Sequence, residues 1–553
     1  PVNPEVALAR AGMAHPQDRG LLAHQEPHMT TPGHEHPPAG AGGAHNPHAA
    51  TAVDPYTGKP VHAAAHAPHG GVVHGQPVLA HHGHDPHAAH HVPTATEAPK
   101  AEEGYRDVAF LIAFVIHLLV ILIIAFAMGI PALNAAASEE QNPAGHTVSP
   151  TVANESSIVG MLVVAALVGG ATSMLWLAFL QRNAASIITC ALWTSVVVQA
   201  VGAVIAFFFS PFMGVILLIL AALCACYARA VANRIPFASE NLKVATAAVR
   251  MYPATVGLAF LAILVQLVWV VVWALAFYGV QAESEGDGNL AEVFMLLSLF
   301  WGQQVIQNIV HCTIAGTVGS WWFAGDTVAK PTWGALKRSC TTSLGSIAFG
   351  SLIVAIIKTL RALARNAENE ARKRGGAGAA FVLCFVRCML DCLERLVEYF
   401  NKWAFCYVGI YGKDFRSAGS AVFALFRDRG WTTVINDDLI GTALSIGCLV
   451  VGVGTGIIGA IWAVGTDPNA TGSWIFASAF ISLIIGFMMC AIVSTVITSS
   501  VATVFVCWAE NPEALGHTHP EHLESLLNAW RTFHPAEMEA CGYNARFGAP
   551  SAV

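Results

Sequence analysis

The sequence predicts an all-α, polytopic membrane protein: about ten transmembrane helices behind a disordered, His-rich N-terminal tail. Three observations carry this. Of 553 residues, 55% are hydrophobic and only 11% are charged, whereas a soluble protein carries about 25% charged residues. Ten apolar runs follow one another, most of them long enough for the ~20 residues that a helix needs to cross a bilayer. The charges gather at the chain ends and in the breaks between those runs.

Residues 1–104 are rich in His, Pro, Ala and Gly and hold 17 of the 24 histidines. With almost no large apolar side chains the segment cannot bury enough surface to fold alone, which makes it a disordered cytoplasmic tail. His81, His82, His84, His87, His90 and His91 form two clusters suited to weak binding of Zn, Ni or Cu. No fixed tetrahedral spacing recurs, so a soluble tail of drifting composition is the competing reading.

The transmembrane body spans 105–508. Its apolar runs are 108–130, 157–180, 185–209, 212–232, 254–279, 291–323, 340–363, 379–411, 439–464 and 474–508. Loops 131–156, 281–290 and 465–473 hold no Lys or Arg. Positive residues collect instead at Arg182, at Arg229, Arg234, Lys243 and Arg250, and at Lys330, Lys337 and Arg338. The positive-inside rule then places both termini in the cytoplasm. Two sequons, at Asn154 and Asn469, fall in loops assigned outside and are glycosylation candidates. None of the 13 cysteines lies in those outer loops, so no disulfide framework is expected. The stretch 358–374 resists the rule, because it carries six basic residues in a turn that ten spans would put outside. An eight-span alternative makes 330–438 a membrane-associated cytoplasmic hairpin; hydropathy favours ten. Residues 509–553 read as a polar cytoplasmic tail with one amphipathic piece near 521–533.

The sixth run carries the most specific chemistry. Trp301, Gln304, Asn308 and His311 fall on one helical stripe, with Gln303 and Gln307 alongside. Polar groups in a bilayer are expensive and usually face a bundle interior or a solute path. Amides bonding across helices are the structural alternative. The paired Trp321 and Trp322 read as an interfacial anchor. In the eighth run Cys384, Cys388 and Cys392 repeat every four residues beside an acidic stripe of Asp391, Glu394 and Glu398. The cysteines are palmitoylation candidates, and the acids suit one side of a solute path; an amphipathic interfacial helix is the plainer reading. Glycines such as Gly452 and Gly456 have the small-xxx-small form of close helix contacts. Phosphate loops, nucleophile–base pairs, dinucleotide fingerprints and basic patches with interleaved aromatics are all missing. The chain is therefore not read as an enzyme or a nucleic-acid binder, and no cofactor is expected.

Three blocks together resemble the choline transporter-like family of solute carriers: NIVHCTIAGTVGSWWF (308–323), SLGSIAFGSLIVAIIKTLRALAR (343–365) and FNKWAFCYVGIYGKDFRSAGSAVFALF (400–426), the last followed by Asn436-Asp437. The Cys-rich stretch ending in Cys392-Leu393-Glu394 belongs to the same pattern. The resemblance covers 300–510 in motifs and 105–300 in hydropathy only. It implies a ten-helix plasma-membrane carrier moving choline, and ethanolamine as a related amine, for phospholipid synthesis. The short first external loop and the His-rich tail depart from the family pattern. Choline's quaternary ammonium suits an aromatic face, so Trp301 is expected to take the ammonium and Gln304 and Asn308 the hydroxyl, with His311 on the same path. Trp193, Trp269 and Trp273 are rivals. The scarcity of intramembrane acids suits facilitated, potential-driven transport. A metal-linked protein using its His-rich tail and a non-transporting membrane scaffold are the alternatives.

Overall fold

A computed structural model describes residues 104–140, 155–283, 290–429, 432–466 and 471–533. Among them the regular structure is helical throughout. The helices are α1 (Val108–Ile124), α2 (Ile130–Glu140), α3 (Glu155–Phe209), α4 (Pro211–Ala230), α5 (Ile235–Met251), α6 (Ala254–Glu283), α7 (Leu290–Ala324) and α8 (Pro331–Cys340). They continue as α9 (Leu344–Lys373), α10 (Ala377–Tyr411), α11 (Phe415–Arg429), α12 (Thr432–Thr466), α13 (Gly472–Glu510), α14 (Pro512–Thr518) and α15 (Pro520–Phe533). The His-rich clusters, Asn154 and Asn469 lie outside the described residues.

Eight of the described helices are long and apolar enough to cross a membrane. Two features separate that number from the ten expected runs. Runs 157–180 and 185–209 are counted once because they meet end to end in α3, as two helical segments joined across a kink where Asn183 leaves helical geometry (φ −121°, ψ 27°). At about 1.5 Å per residue its 55 residues exceed twice the ~30 Å hydrocarbon thickness. The other is α10, whose apolar run is broken by Arg387, Asp391, Glu394, Arg395 and Glu398.

Small residues set how closely the helices approach. Gly452 and Gly456 of α12 rest on Leu483 of α13, where an added Cβ would come 3.1 Å from the Leu483 carbonyl oxygen and 3.0 Å from its Cβ respectively. Gly454, on the opposite side of α12, faces open space. The helix α10 runs parallel to α7, since His311 meets Lys402, Cys312 meets Phe405 and Gly316 meets Gly409. Against α9 it runs antiparallel, with Asn401 meeting Gly350, Lys358 meeting Glu398 and Glu368 meeting Arg387. Ahead of α1, Asp107 sits in the left-handed region (φ 47°). Its carboxylate repays that strain by accepting from Ser346 Oγ at 2.7 Å and from the Phe415 backbone N–H at 2.9 Å.

The C-terminal helices cover one end of the bundle. Trp322 Nε1–H donates to the Asn511 carbonyl at 3.0 Å, and the Thr518 hydroxyl donates back to the Trp322 carbonyl at 3.0 Å. Trp321 stacks on His519 with centroids 4.1 Å apart. Both tryptophans are buried, at 2% and 0% exposure, so they are not the exposed interfacial anchor that the sequence suggests. Burial foremost, then His522, pushes the His519 imidazole below its ordinary value, against the pull of Asp326 and Glu521. His522 is lowered in the same way, by burial against Glu521 and Glu240. A base with a lowered folded-state pKa contributes stability above the unfolded value of about 6.5 and loses it as pH falls. The melting temperature of purified protein should therefore hold between about pH 7.5 and 8.5 and fall on acidification below about 6.5. His519→Gln should flatten that fall; an unchanged acid slope in the variant contradicts the assignment.

A cavity between six helices

The sixth apolar run becomes α7, and its stripe divides in two. Gln304, Asn308 and His311 line a cavity of about 780 Å³. Trp301 is not among its lining residues. Its indole is 7% exposed, donates to the Ala348 carbonyl at 3.0 Å and packs on Phe114 and His117 with centroids at 5.1 and 4.8 Å. The rival tryptophans do not line the cavity either. Trp269 and Trp273 donate to the Leu299 and Met295 carbonyls, and Trp193 lies under the Arg229 guanidinium. Phe487 supplies the cavity's one aromatic ring among the described residues.

Six helices contribute walls, α9 through Val354. From α6 comes Gln266; from α7 come Gln304, Gln307, Asn308 and His311; from α10 come Glu398, Asn401 and Lys402. The α12 wall carries Ser445 and Cys448, and the α13 wall carries Ser494, Thr495, Thr498 and Ser499. Amides and hydroxyls thus alternate with aliphatic positions such as Ala259, Ile263, Val354 and Leu444, the composition expected of a site for a small polar solute.

Hydrogen bonds fix the α7 side chains. Asn308 Nδ2 donates to Ser351 Oγ at 2.9 Å. His311 joins three helices, with Nε2 2.8 Å from the Lys402 carbonyl and Nδ1 2.8 Å from Ser499 Oγ. A carbonyl oxygen only accepts, so Nε2 carries the proton, and in the neutral ring Nδ1 accepts from the Ser499 hydroxyl. Asn401 Nδ2 donates to the Gly350 carbonyl at 2.9 Å, which seats α10 against α9 at cavity depth.

Beyond His311 towards the C-terminal end of α7 the bundle is closed. Cys312 through Gly319 are buried without interruption. Gly316 lies against Gly409 so closely that an added Cβ would come 2.8 Å from the Gly409 carbonyl oxygen. Thr503 of α13 and Cys406 of α10 meet in the same layer at 3.7 Å.

Of the remaining sequence candidates, Cys388 and Cys392 are exposed on α10, and Cys384 is half-buried with Arg387 beside it at 3.8 Å. Asp391, Glu394 and Glu398 face α9, where they pair with Arg361 and Lys358. Among the described residues no group of His, Cys, Asp and Glu is arranged to hold a metal ion. Sequence reasoning passed over Gln266 and the hydroxyls of α12 and α13. Serines and threonines on helices commonly bond to their own backbone, as Thr495 and Thr498 do here, and nothing in a single sequence tells which of them also face a cavity.

A family model described as plasma-membrane choline transporter matches residues 215–513, more than half of the chain and every wall of the cavity. A CTL-like protein of Dictyostelium discoideum is 32% identical over 316 residues, covering 56% of this chain and 55% of that protein. Protein PNS1 of Gibberella zeae is 34% identical over 240 residues, 43% of this chain and 45% of that one. Protein PNS1 of Cryptococcus neoformans is 29% identical over 410 residues, 70% and 74% of the two chains. The chain spans about half the length of the first two of these relatives, 55% and 45%.

Proposed function

The chain belongs to the plasma-membrane choline transporter family, and we propose that it carries choline, or a related small organic amine such as ethanolamine, across the plasma membrane to supply phospholipid synthesis. The observation that carries this reading is the open cavity of about 780 Å³ between α6, α7, α9, α10, α12 and α13, whose mostly apolar wall is set with amides and hydroxyls. Choline's hydroxyl suits Gln304, Asn308 and the α13 hydroxyls, while its methyl groups suit the aliphatic positions between them. His311, held between Lys402 and Ser499, closes the inner end of the site.

Both termini are placed on the cytoplasmic side. Support comes from α14 packing on Trp322 at the C-terminal end of α7 and from Arg338 near Gly316 in the same half of that helix, the side to which positive loop residues belong. In that frame the cavity is closed towards the cytoplasm. A monovalent cation moving inward gains about 2.3 kcal/mol per 100 mV of membrane potential, enough to concentrate it with no coupling ion.

Cells producing the protein should show saturable radiolabelled choline uptake. Asn308→Ala and His311→Leu should each lower it about five- to tenfold at equal surface amount, since each removes a hydrogen-bonding group from the site. Uptake equal to that of empty cells would remove the choline reading.

A further inference from the structure

We propose that Glu398 is the counter-ion for the substrate's positive charge and that the Lys358 ammonium occupies this position until the substrate arrives. The inference rests on the transport reading above and deepens it. Among the described residues, Glu398 is the one carboxylate lining the cavity and Lys402 the one cation. Among the described residues no tryptophan or tyrosine lines the cavity, and Phe487 alone does not make an aromatic cage. Recognition of a cation that cannot donate hydrogen bonds therefore falls to charge.

The surroundings of Glu398 fit an exchangeable ion pair. Asp391, Glu394 and Glu398 climb one side of α10 and face cations of α9. Asp391 takes Arg361 at 2.8 Å and Arg395 at 2.9 Å, while buried Glu394 lies 2.8 Å from Arg361 Nε. Glu398 is the open end of this ladder, 40% exposed, with Lys358 Nζ at 2.8 Å. The same Lys358 ammonium lies 3.9 Å from Glu394. It can therefore withdraw from Glu398 without being stranded, because a second carboxylate is already within reach. A buried charge left unpaired is strongly unfavourable, and the shared lysine avoids that on both sides of the exchange. The substrate ammonium takes the place of the lysine ammonium at Glu398, and the charge balance of the ladder is kept.

The test is choline uptake kinetics at matched surface amount, joined to thermal melting of the purified full chain with and without tetramethylammonium chloride against an equal sodium chloride control. Glu398→Gln should raise the choline KM about tenfold or more, as expected for losing a charged partner, and Glu398→Asp should recover part of it. Inhibition by the neutral isostere 3,3-dimethylbutan-1-ol should not change in Glu398→Gln. Lys358→Met should lower the choline KM, because the resident competitor is gone. Tetramethylammonium should raise the melting temperature of the wild type and not of Glu398→Gln. Should Glu398→Gln fail to fold, the pair Lys358→Met with Glu398→Gln removes both charges together, and it too should lose the tetramethylammonium response. A wild-type KM in Glu398→Gln overturns the inference and leaves choline transport standing. A wild type without choline uptake overturns the transport reading alone, and the melting comparison still decides the counter-ion: no tetramethylammonium shift in the wild type, or an equal shift in the variant, overturns it.

Discussion

Gly409→Val is expected to abolish the folded protein. A Cβ at position 409 would fall onto the Cys312 carbonyl oxygen and come 2.9 Å from Ala315 Cβ. Backbone is what blocks it, so no rotamer change relieves the clash. Nor can the helices slide apart, since α7 and α10 are tied by His311 to the Lys402 carbonyl at 2.8 Å and by the Cys312 thiol to the Phe405 carbonyl at 3.5 Å. Overpacking of a well-fitted core costs about 1–3 kcal/mol when side chains give way; here the opposing atoms are main chain, and the cost is larger. Detergent-extracted Gly409→Val should elute as aggregate where Gly334→Ala, a site with open space around it, elutes as wild type. A monodisperse Gly409→Val peak with unchanged melting would refute the close-contact argument.

The second large effect is expected from Trp322→Ala. The indole is fully buried, and truncating a buried Trp costs about 3–5 kcal/mol. It also strips the Asn511 carbonyl of its Nε1–H donor. Helices α14 and α15 should loosen before the rest unfolds, so limited proteolysis should cut after residue 510 in the variant at protease levels that spare the wild type. Trp333→Ala serves as the comparison, since that ring is 66% exposed and its loss should cost under about 0.5 kcal/mol. Equal protease resistance in both variants would mean that Trp322 does not hold the tail.

The helices were legible because length and hydropathy report directly on membrane crossing. Where the sequence and the structure part, the cause is long-range packing. The stripe on α7 put Gln304, Asn308 and His311 on one face, because spacing of three and four defines a face, and that face lines the cavity. It did not say that α1 and α9 cover that face one turn earlier and bury Trp301. Trp321 and Trp322 looked like interfacial residues because their cover arrives nearly two hundred positions later, at Asn511, Thr518 and His519. Glu398 was visible as part of an acidic stripe, yet its place in a cavity depends on α6, α12 and α13, which no local pattern announces. The two expected spans within α3 were separable because Asn183, between the apolar runs, is where the backbone kinks out of helical geometry.

The unbroken course of α13 has a mechanical consequence. Ser499 forms part of the cavity wall, and eleven residues further on the helix ends at Glu510, directly before α14. That interval is about 16 Å of stiff rod. The Tyr407 hydroxyl grips its far end through Glu510 at 2.7 Å, and the tail is fastened just beyond. A tilt of the rod that widened the cavity would swing its tip and move the tail with it, and a fluorophore pair bridging α5 and α15 would read that swing as a change in separation.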